Sequence, residues 1–127
     1  MARYNRLVSD ALDMHGKVVL VTGGARGVGR GIAEAFLTAG AEVVVCGRNQ
    51  PDVLPQADGR QATFTRADVR EPDQVAALVA TTVEASGGLD VVVNNAGGTP
   101  PAFVAGASPR FLSAIITLNL IAPLYVA

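Results

Sequence analysis

Val18–Gly29 reads VVLVTGGARGVG, an apolar run followed by a glycine-rich turn and the opening of a helix. Val18, Val19, Leu20 and Val21 suit a strand buried on both faces of a parallel sheet. Thr22 then leads into Gly23, Gly24, Gly27 and Gly29, where missing side chains let the backbone turn sharply and approach a ligand. From Gly29 onward Ile32, Ala33, Ala35, Phe36 and Leu37 follow helical spacing, so the glycines sit at a helix N-terminus. Unpaired amide N–H groups and the positive end of the helix dipole meet there, which makes the turn an anion site. Strand, glycine turn and helix together predict the phosphate-binding start of an α/β nucleotide fold.

The glycine spacing narrows the class. A P-loop needs Lys and Ser or Thr after its last glycine, and Arg30 and Gly31 stand there instead. The common dinucleotide fingerprint would need glycine at position 32 after Gly27 and Gly29, and that residue is Ile32. What fits is T-G-x-x-x-G-x-G, Thr22 through Gly29, with N-N-A-G at Asn94–Gly97 directly after another apolar run, Leu89–Val93. Either motif alone could be an ordinary turn. Together, with helical and strand patterns alternating between them, they make the chain resemble the short-chain dehydrogenase/reductase family over residues 16–127. The resemblance implies a doubly wound, Rossmann-type parallel sheet, present in part with strand order 3-2-1-4 and flanking helices.

Composition agrees with a single α/β unit. Only 5% of residues are aromatic, so Val, Ala and Leu must carry the core, as in buried parallel sheets. A net charge of −1 argues against nucleic acid or an acidic membrane as partner. The single Cys46 excludes an internal disulfide and a cysteine metal cluster, in keeping with a reducing, cytoplasmic location. His15, the only histidine, precedes the first strand and reads as a surface residue. Residues 1–15 read as a leader, in which Leu7, Val8, Ala11 and Leu12 could form an amphipathic turn or two. Asn5, Arg6, Asp10 and Asp13 break any secretory core, and no apolar stretch is expected to reach membrane-spanning length.

Along the chain, Glu42–Cys46 predicts the second strand, ending roughly 20 residues beyond the glycine turn, where dinucleotide folds read the adenosine ribose. A carboxylate there suits the free 2′-hydroxyl of NAD; here Gly47-Arg48 offers a guanidinium suited to a 2′-phosphate. Arg26, within the glycine loop, could converge on the same group. Basic residues at these two positions accompany NADP preference in the resembled family, which implies NADP(H) rather than NAD(H); as plain surface residues both arginines would simply be solvated. Residues 49–60 predict a loop with at most a helical turn, and Gln61–Arg66 a third strand. The resemblance implies that Asp68 meets the adenine amino group and the Val69 backbone the ring, although Asp68 could equally cap the next turn.

Pro72 suits the first position of a helix that Ser86-Gly87-Gly88 stops, and Leu89–Val93 predicts the fourth strand. The resemblance places Asn94, Asn95, Ala96 and Gly97 against the nicotinamide-side ribose, and the phosphates on Gly23, Arg26, Gly27, Val28 and Gly29 beside Thr22. Ser108-Pro109 predicts an N-cap and first turn for a last helix carrying Phe111, Leu112, Ile115, Ile116 and Leu120. Asn119 matches the family asparagine whose carbonyl holds a water of the proton relay; the plainer account is a helix asparagine bonded to a neighbouring loop. Pro123 is expected to open the helix backbone around it.

Family chemistry also needs a serine and a Tyr-x-x-x-Lys pair. The only lysine is Lys17, Tyr4 is followed four residues later by Val8, and Tyr125 has no fourth successor. Asn119 is thus the one catalytic candidate, and no residue suggests a metal. The sequence predicts the cofactor-binding half of an NADP(H)-dependent carbonyl/alcohol oxidoreductase, inactive by itself. A small-molecule substrate and either a homo-oligomer or a complementing C-terminal half are the implied partners. The alternative is a non-catalytic dinucleotide-binding or interaction fragment that works with another chain.

Overall fold

The computed structural model describes residues 12–127; Leu7, Val8 and Ala11 of the expected amphipathic turns lie outside them. Strand β1 (Val18–Thr22) is followed by helix α1 (Gly27–Thr38), β2 (Glu42–Gly47), the two-residue strands β3 (Gln56–Ala57) and β4 (Arg60–Gln61), and β5 (Thr63–Arg66). Then come α2 (Pro72–Ser86), β6 (Val91–Val93), α3 (Pro109–Ile116), a π-helical turn (Thr117–Ile121) and α4 (Ala122–Val126). The main sheet is parallel, in the order β5-β2-β1-β6. Its four strands are thus the third, second, first and fourth of the expected set. The detail differs through a separate antiparallel hairpin, β3–β4.

That hairpin corrects two expectations. Residues 49–60 are not merely a loop, and Gln61 belongs to β4, paired with Gln56, so the third main-sheet strand starts only at Thr63. Ala62 is buried and its N–H donates to the Pro55 carbonyl at 2.9 Å, which commits it to the hairpin side. The fourth strand likewise starts at Val91, because Asp90 turns its carboxylate onto the Val18 N–H at 2.8 Å.

Alternation along β1 and β2 divides the core between the two sheet faces. Val19, Val21, Val43 and Val45 pack with Ala33 and Leu37 of α1, whereas Leu20, Val44 and Cys46 pack with Val75 and Leu78 of α2 and with Ala122 and Val126 of α4. Every residue of β1 is buried. Helix α2 starts on Pro72 and stops at Gly87, which takes the left-handed conformation (φ 77°) that ends a helix without a Cβ clash. The described end of the expected leader packs on the body: Met14 donates its N–H to the Ala39 carbonyl at 2.9 Å and lies half-buried against the α1 side of the core.

The last helical stretch corrects the expectation about apolar length. Pro109–Val126 runs 18 residues, long and apolar enough by composition to cross a membrane. Arg110, Ser113, Thr117 and Asn119 interrupt the run in sequence, but they are too few to bring its mean hydropathy of 1.4 below the spanning range. Ala122 and Val126 face the core, while Leu112, Ile116, Leu120 and Leu124 form a stripe at four-residue spacing that is exposed.

Candidate cofactor site

The site forms where the C-terminal ends of β1, β2 and β6 meet the start of α1. Gly23 takes φ 63° and donates its N–H to the Cys46 carbonyl at 2.9 Å, which folds the turn back over the end of β2. At Gly29 an added Cβ would collide with the Asn95 side-chain amide and, at 2.5 Å, with the Gly23 carbonyl. Only glycine lets helix α1 approach the N-N-A-G segment this closely. The first turn of α1 has no side-chain cap, so no side chain takes up its leading N–H groups.

Thr22 and Asn95 clasp the two signature segments together. The buried Thr22 hydroxyl accepts from the backbone N–H groups of Asn95 (3.1 Å) and Ala96 (3.0 Å) and donates to the Val93 carbonyl at 3.4 Å. The Asn95 side-chain amide returns to the carbonyls of Thr22 (3.0 Å) and Gly23 (3.3 Å). Both are expected ligand contacts; what the fold shows is that each holds the site's shape.

A cleft of about 530 Å³ opens above this clasp. The expected phosphate residues Gly23, Arg26, Val28 and Gly29 line one end of it, and Asn95, Ala96 and Gly97 line the side toward β6. Arg48, Asp68 and Val69 line the far end. Thr22, Gly27 and Asn119 are not among the lining residues. A narrow glycine floor, a helix start and two basic side chains fit the phosphates and adenosine of a dinucleotide.

Arg26 and Arg48 are exposed on the rim, and neither forms an ion pair among the described residues. Asp68 is differently placed. Its Oδ1 accepts from Arg70 Nε (2.9 Å) and from the Arg70 backbone N–H (3.1 Å), and its Oδ2 accepts from Arg70 Nη2. These bonds, with the charges of Arg70 and Arg48 nearby, hold the Asp68 carboxyl below the usual range against the opposing effect of burial. The same pairing raises Arg70. Arg70, which also lines the cleft, was missed in the sequence. Its signal was an opposite charge two residues from Asp68 in the turn before Pro72. Cys46 lies under the cleft, and burial pushes its thiol up to about 11 despite a hydrogen bond from Gly23.

Asn119 sits in the π-helical turn, four residues before Pro123, whose ring nitrogen has no hydrogen to give the Asn119 carbonyl. Its side chain is fully engaged, with Oδ1 accepting from the Gly98 N–H (2.8 Å) and Nδ2 donating to the carbonyls of Gly98 and Ile115 (both 2.9 Å). It therefore fastens the loop after Gly97 to the last helix.

A parallel sheet in this order, with a glycine turn clasped to N-N-A-G at its carboxyl end, defines a dinucleotide-binding α/β protein. Residues 17–127 match the family described as short chain dehydrogenase, and the chain belongs to that family. It is 51% identical over 88 residues to an L-fucose dehydrogenase of Oryctolagus cuniculus, an alignment covering 68% of this chain and 31% of that protein. It is 37% identical over 110 residues to a 3-oxoacyl-acyl-carrier-protein reductase of Chlamydia trachomatis, covering 82% of this chain and 44% of the other. A short-chain type dehydrogenase/reductase from Mycobacterium marinum superposes with a TM-score of 0.83 at 28% identity, covering 92% of this chain and 49% of that one. The chain thus spans less than half the length of each of these proteins.

Proposed function

We propose that this chain is the cofactor-binding part of an NADP(H)-dependent short-chain oxidoreductase that interconverts a carbonyl and an alcohol. When bound, the nicotinamide would supply or take the hydride. The residues here bind and orient: the glycine turn and the first amides of α1 take the pyrophosphate, and Asn95–Gly97 support the nicotinamide-side ribose. Asn119 would hold a relay water through its carbonyl, and its side chain would fix the loop beside it. The serine and Tyr-x-x-x-Lys that polarise the carbonyl and move its proton are not in this sequence, so the 127-residue chain by itself is expected to be inactive. The relatives act, by their names, on a sugar and on an acyl chain, which leaves the substrate class open within small carbonyls and alcohols.

The observation carrying the cofactor choice is Arg48. It follows the end of β2 and lines the cleft, as Arg26 does, with no carboxylate at the strand end. A charge-assisted contact to a 2′-phosphate is worth about tenfold or more in affinity. Calorimetric titration should show NADPH binding tighter than NADH, and Arg48→Ala should weaken NADPH about tenfold with little change for NADH. Equal or tighter NADH binding defeats the proposal. The exposed stripe Leu112, Ile116, Leu120 and Leu124 favours a second reading, a dinucleotide-binding part that works through association with another chain. Turnover of any carbonyl by the chain alone would contradict both its expected inactivity and this second reading.

A further inference from the structure

Residues 48–54 run from the end of β2 to the β3–β4 hairpin without regular structure, yet Arg48, Asn49, Gln50 and Pro51 among them line the cleft. Pro51 and Pro55 bring no N–H to this stretch. Pro55 is buried, whereas Arg48, Asn49, Gln50, Asp52 and Val53 are exposed. The stretch is held from α1. Arg30 Nη1 donates to the Val53 carbonyl (2.9 Å) and Arg30 Nη2 to the Leu54 carbonyl (3.2 Å). Among the described residues no other hydrogen bond reaches residues 49–54. Glu34, one turn further along α1, accepts from Arg30 Nε at 2.9 Å and steadies the guanidinium from its other side.

Arg30 itself does not line the cleft, and its backbone N–H donates to the Arg26 carbonyl (3.1 Å) in the first turn of α1. The helix start that offers amides to a phosphate thus also fixes where the stretch after β2 stands. A planar guanidinium can hold two neighbouring carbonyls and a carboxylate at once, whereas an ammonium is a single point of attachment on a flexible stem.

We infer that Arg30 is a positioning residue for the ribose end of the cleft, acting through Arg48 rather than on the cofactor. By gripping the Val53 and Leu54 carbonyls it holds the stretch that carries Arg48, and so sets how strongly Arg48 distinguishes a 2′-phosphate from a 2′-hydroxyl. The inference rests on the NADP(H) reading for the role of Arg48; the grip of Arg30 on the loop does not.

Calorimetric titration with NADPH and with NADH gives a ratio of affinities for each variant. Partial unfolding weakens both ligands alike, so the ratio reports the wall of the cleft and not general stability. Arg30→Lys keeps the charge and loses the fork, and should narrow the NADPH-over-NADH ratio by about threefold or more. Arg30→Gln should narrow it to a similar extent. In Arg48→Ala, where the guanidinium being positioned is already gone, adding Arg30→Lys should change the ratio no further. A ratio that Arg30→Gln lowers and Arg30→Lys leaves unchanged overturns the inference, because the charge of Arg30 would then act on the phosphate directly. Equal narrowing with and without Arg48 overturns it as well. In the ligand-free protein, amide nitrogen relaxation should show lower order parameters at Asn49, Gln50, Asp52 and Val53 in Arg30→Lys than in wild type. Unchanged order parameters overturn the inference whichever cofactor binds. A wild type that does not prefer NADPH, with those order parameters lowered in Arg30→Lys, defeats the NADP reading while upholding the grip of Arg30 on the loop.

Discussion

Leu20 and Leu120 carry the same side chain, yet one is fully buried beneath the cleft and the other is 63% exposed on the last helix. Leu20 lies in a strand whose neighbours on both sides are hydrogen-bonded, with α2 and α4 over its face. Leu120 belongs to a helical stretch that fully buries only Ala122 and Val126, with Phe111, Ile115, Leu118 and Ile121 half-buried. The sheet beneath the cleft is thus closed by contacts within the described residues, while the apolar stripe of the last helix is not.

The largest expected effect falls on the closed side. Leu20→Ala removes a fully buried side chain from close packing and should cost about 2–5 kcal/mol of unfolding free energy in urea titrations. A loss under 1 kcal/mol would mean that the sheet beneath the cleft is looser than its burial indicates. Cys46, on the same face, adds a pH signature. Its folded thiol is raised from 9.0 to about 11, so the neutral form is favoured in the fold. The stability this contributes is fully present below pH 9 and is lost as pH rises through about 11. The loss should be about 3 kcal/mol, read as the difference between wild type and Cys46→Ala over that window. Parallel stability profiles for the two proteins would remove the thiol from the account.

The clasp should respond less, because Thr22→Val removes hydrogen bonds rather than buried volume. Thr22→Val keeps the side-chain shape but leaves the Asn95 and Ala96 N–H groups without their shared acceptor. It should cost about 1–3 kcal/mol and weaken dinucleotide binding, because N-N-A-G would no longer be fastened to the glycine turn. Unchanged affinity would separate the shape of the site from this hydroxyl.

The parts readable from the sequence were those written by periodicity and by missing side chains. Val18–Val21 announces a doubly covered strand, and Gly29 announces a close approach that Asn95 makes. The hairpin was hidden because strands of two residues carry no period, although Asp58-Gly59, both at positive φ, is the dipeptide a tight hairpin turn prefers. Asp68 was visible as a cleft residue, but its engagement by Arg70 was not, since a side-chain pair two residues apart depends on the turn that Gln74 and Gly47 hold. The π-helical turn was half legible. Pro123 marks the missing donor, whereas the widened turn upstream also depends on how Asn119 grips Gly98. The apolar length of Pro109–Val126 was missed because polar residues scattered on one helix interrupt a linear run without outweighing it.

The smallest expected effect tests the open side. Leu120 and Leu124 are 63% and 70% exposed, so replacing both with serine removes little buried area. The double variant should unfold within about 0.5 kcal/mol of wild type, as surface changes do, and bind dinucleotide as before, because neither side chain lines the cleft. The measurement is a pair of urea titrations at two protein concentrations well apart. If wild type gains stability with concentration and the variant does not, the stripe is covered by another copy under those conditions, and the contrast between Leu20 and Leu120 belongs to the isolated chain only. If neither depends on concentration and their midpoints agree, the stripe contributes nothing to the fold, and the cleft stands on the buried sheet and its helices alone.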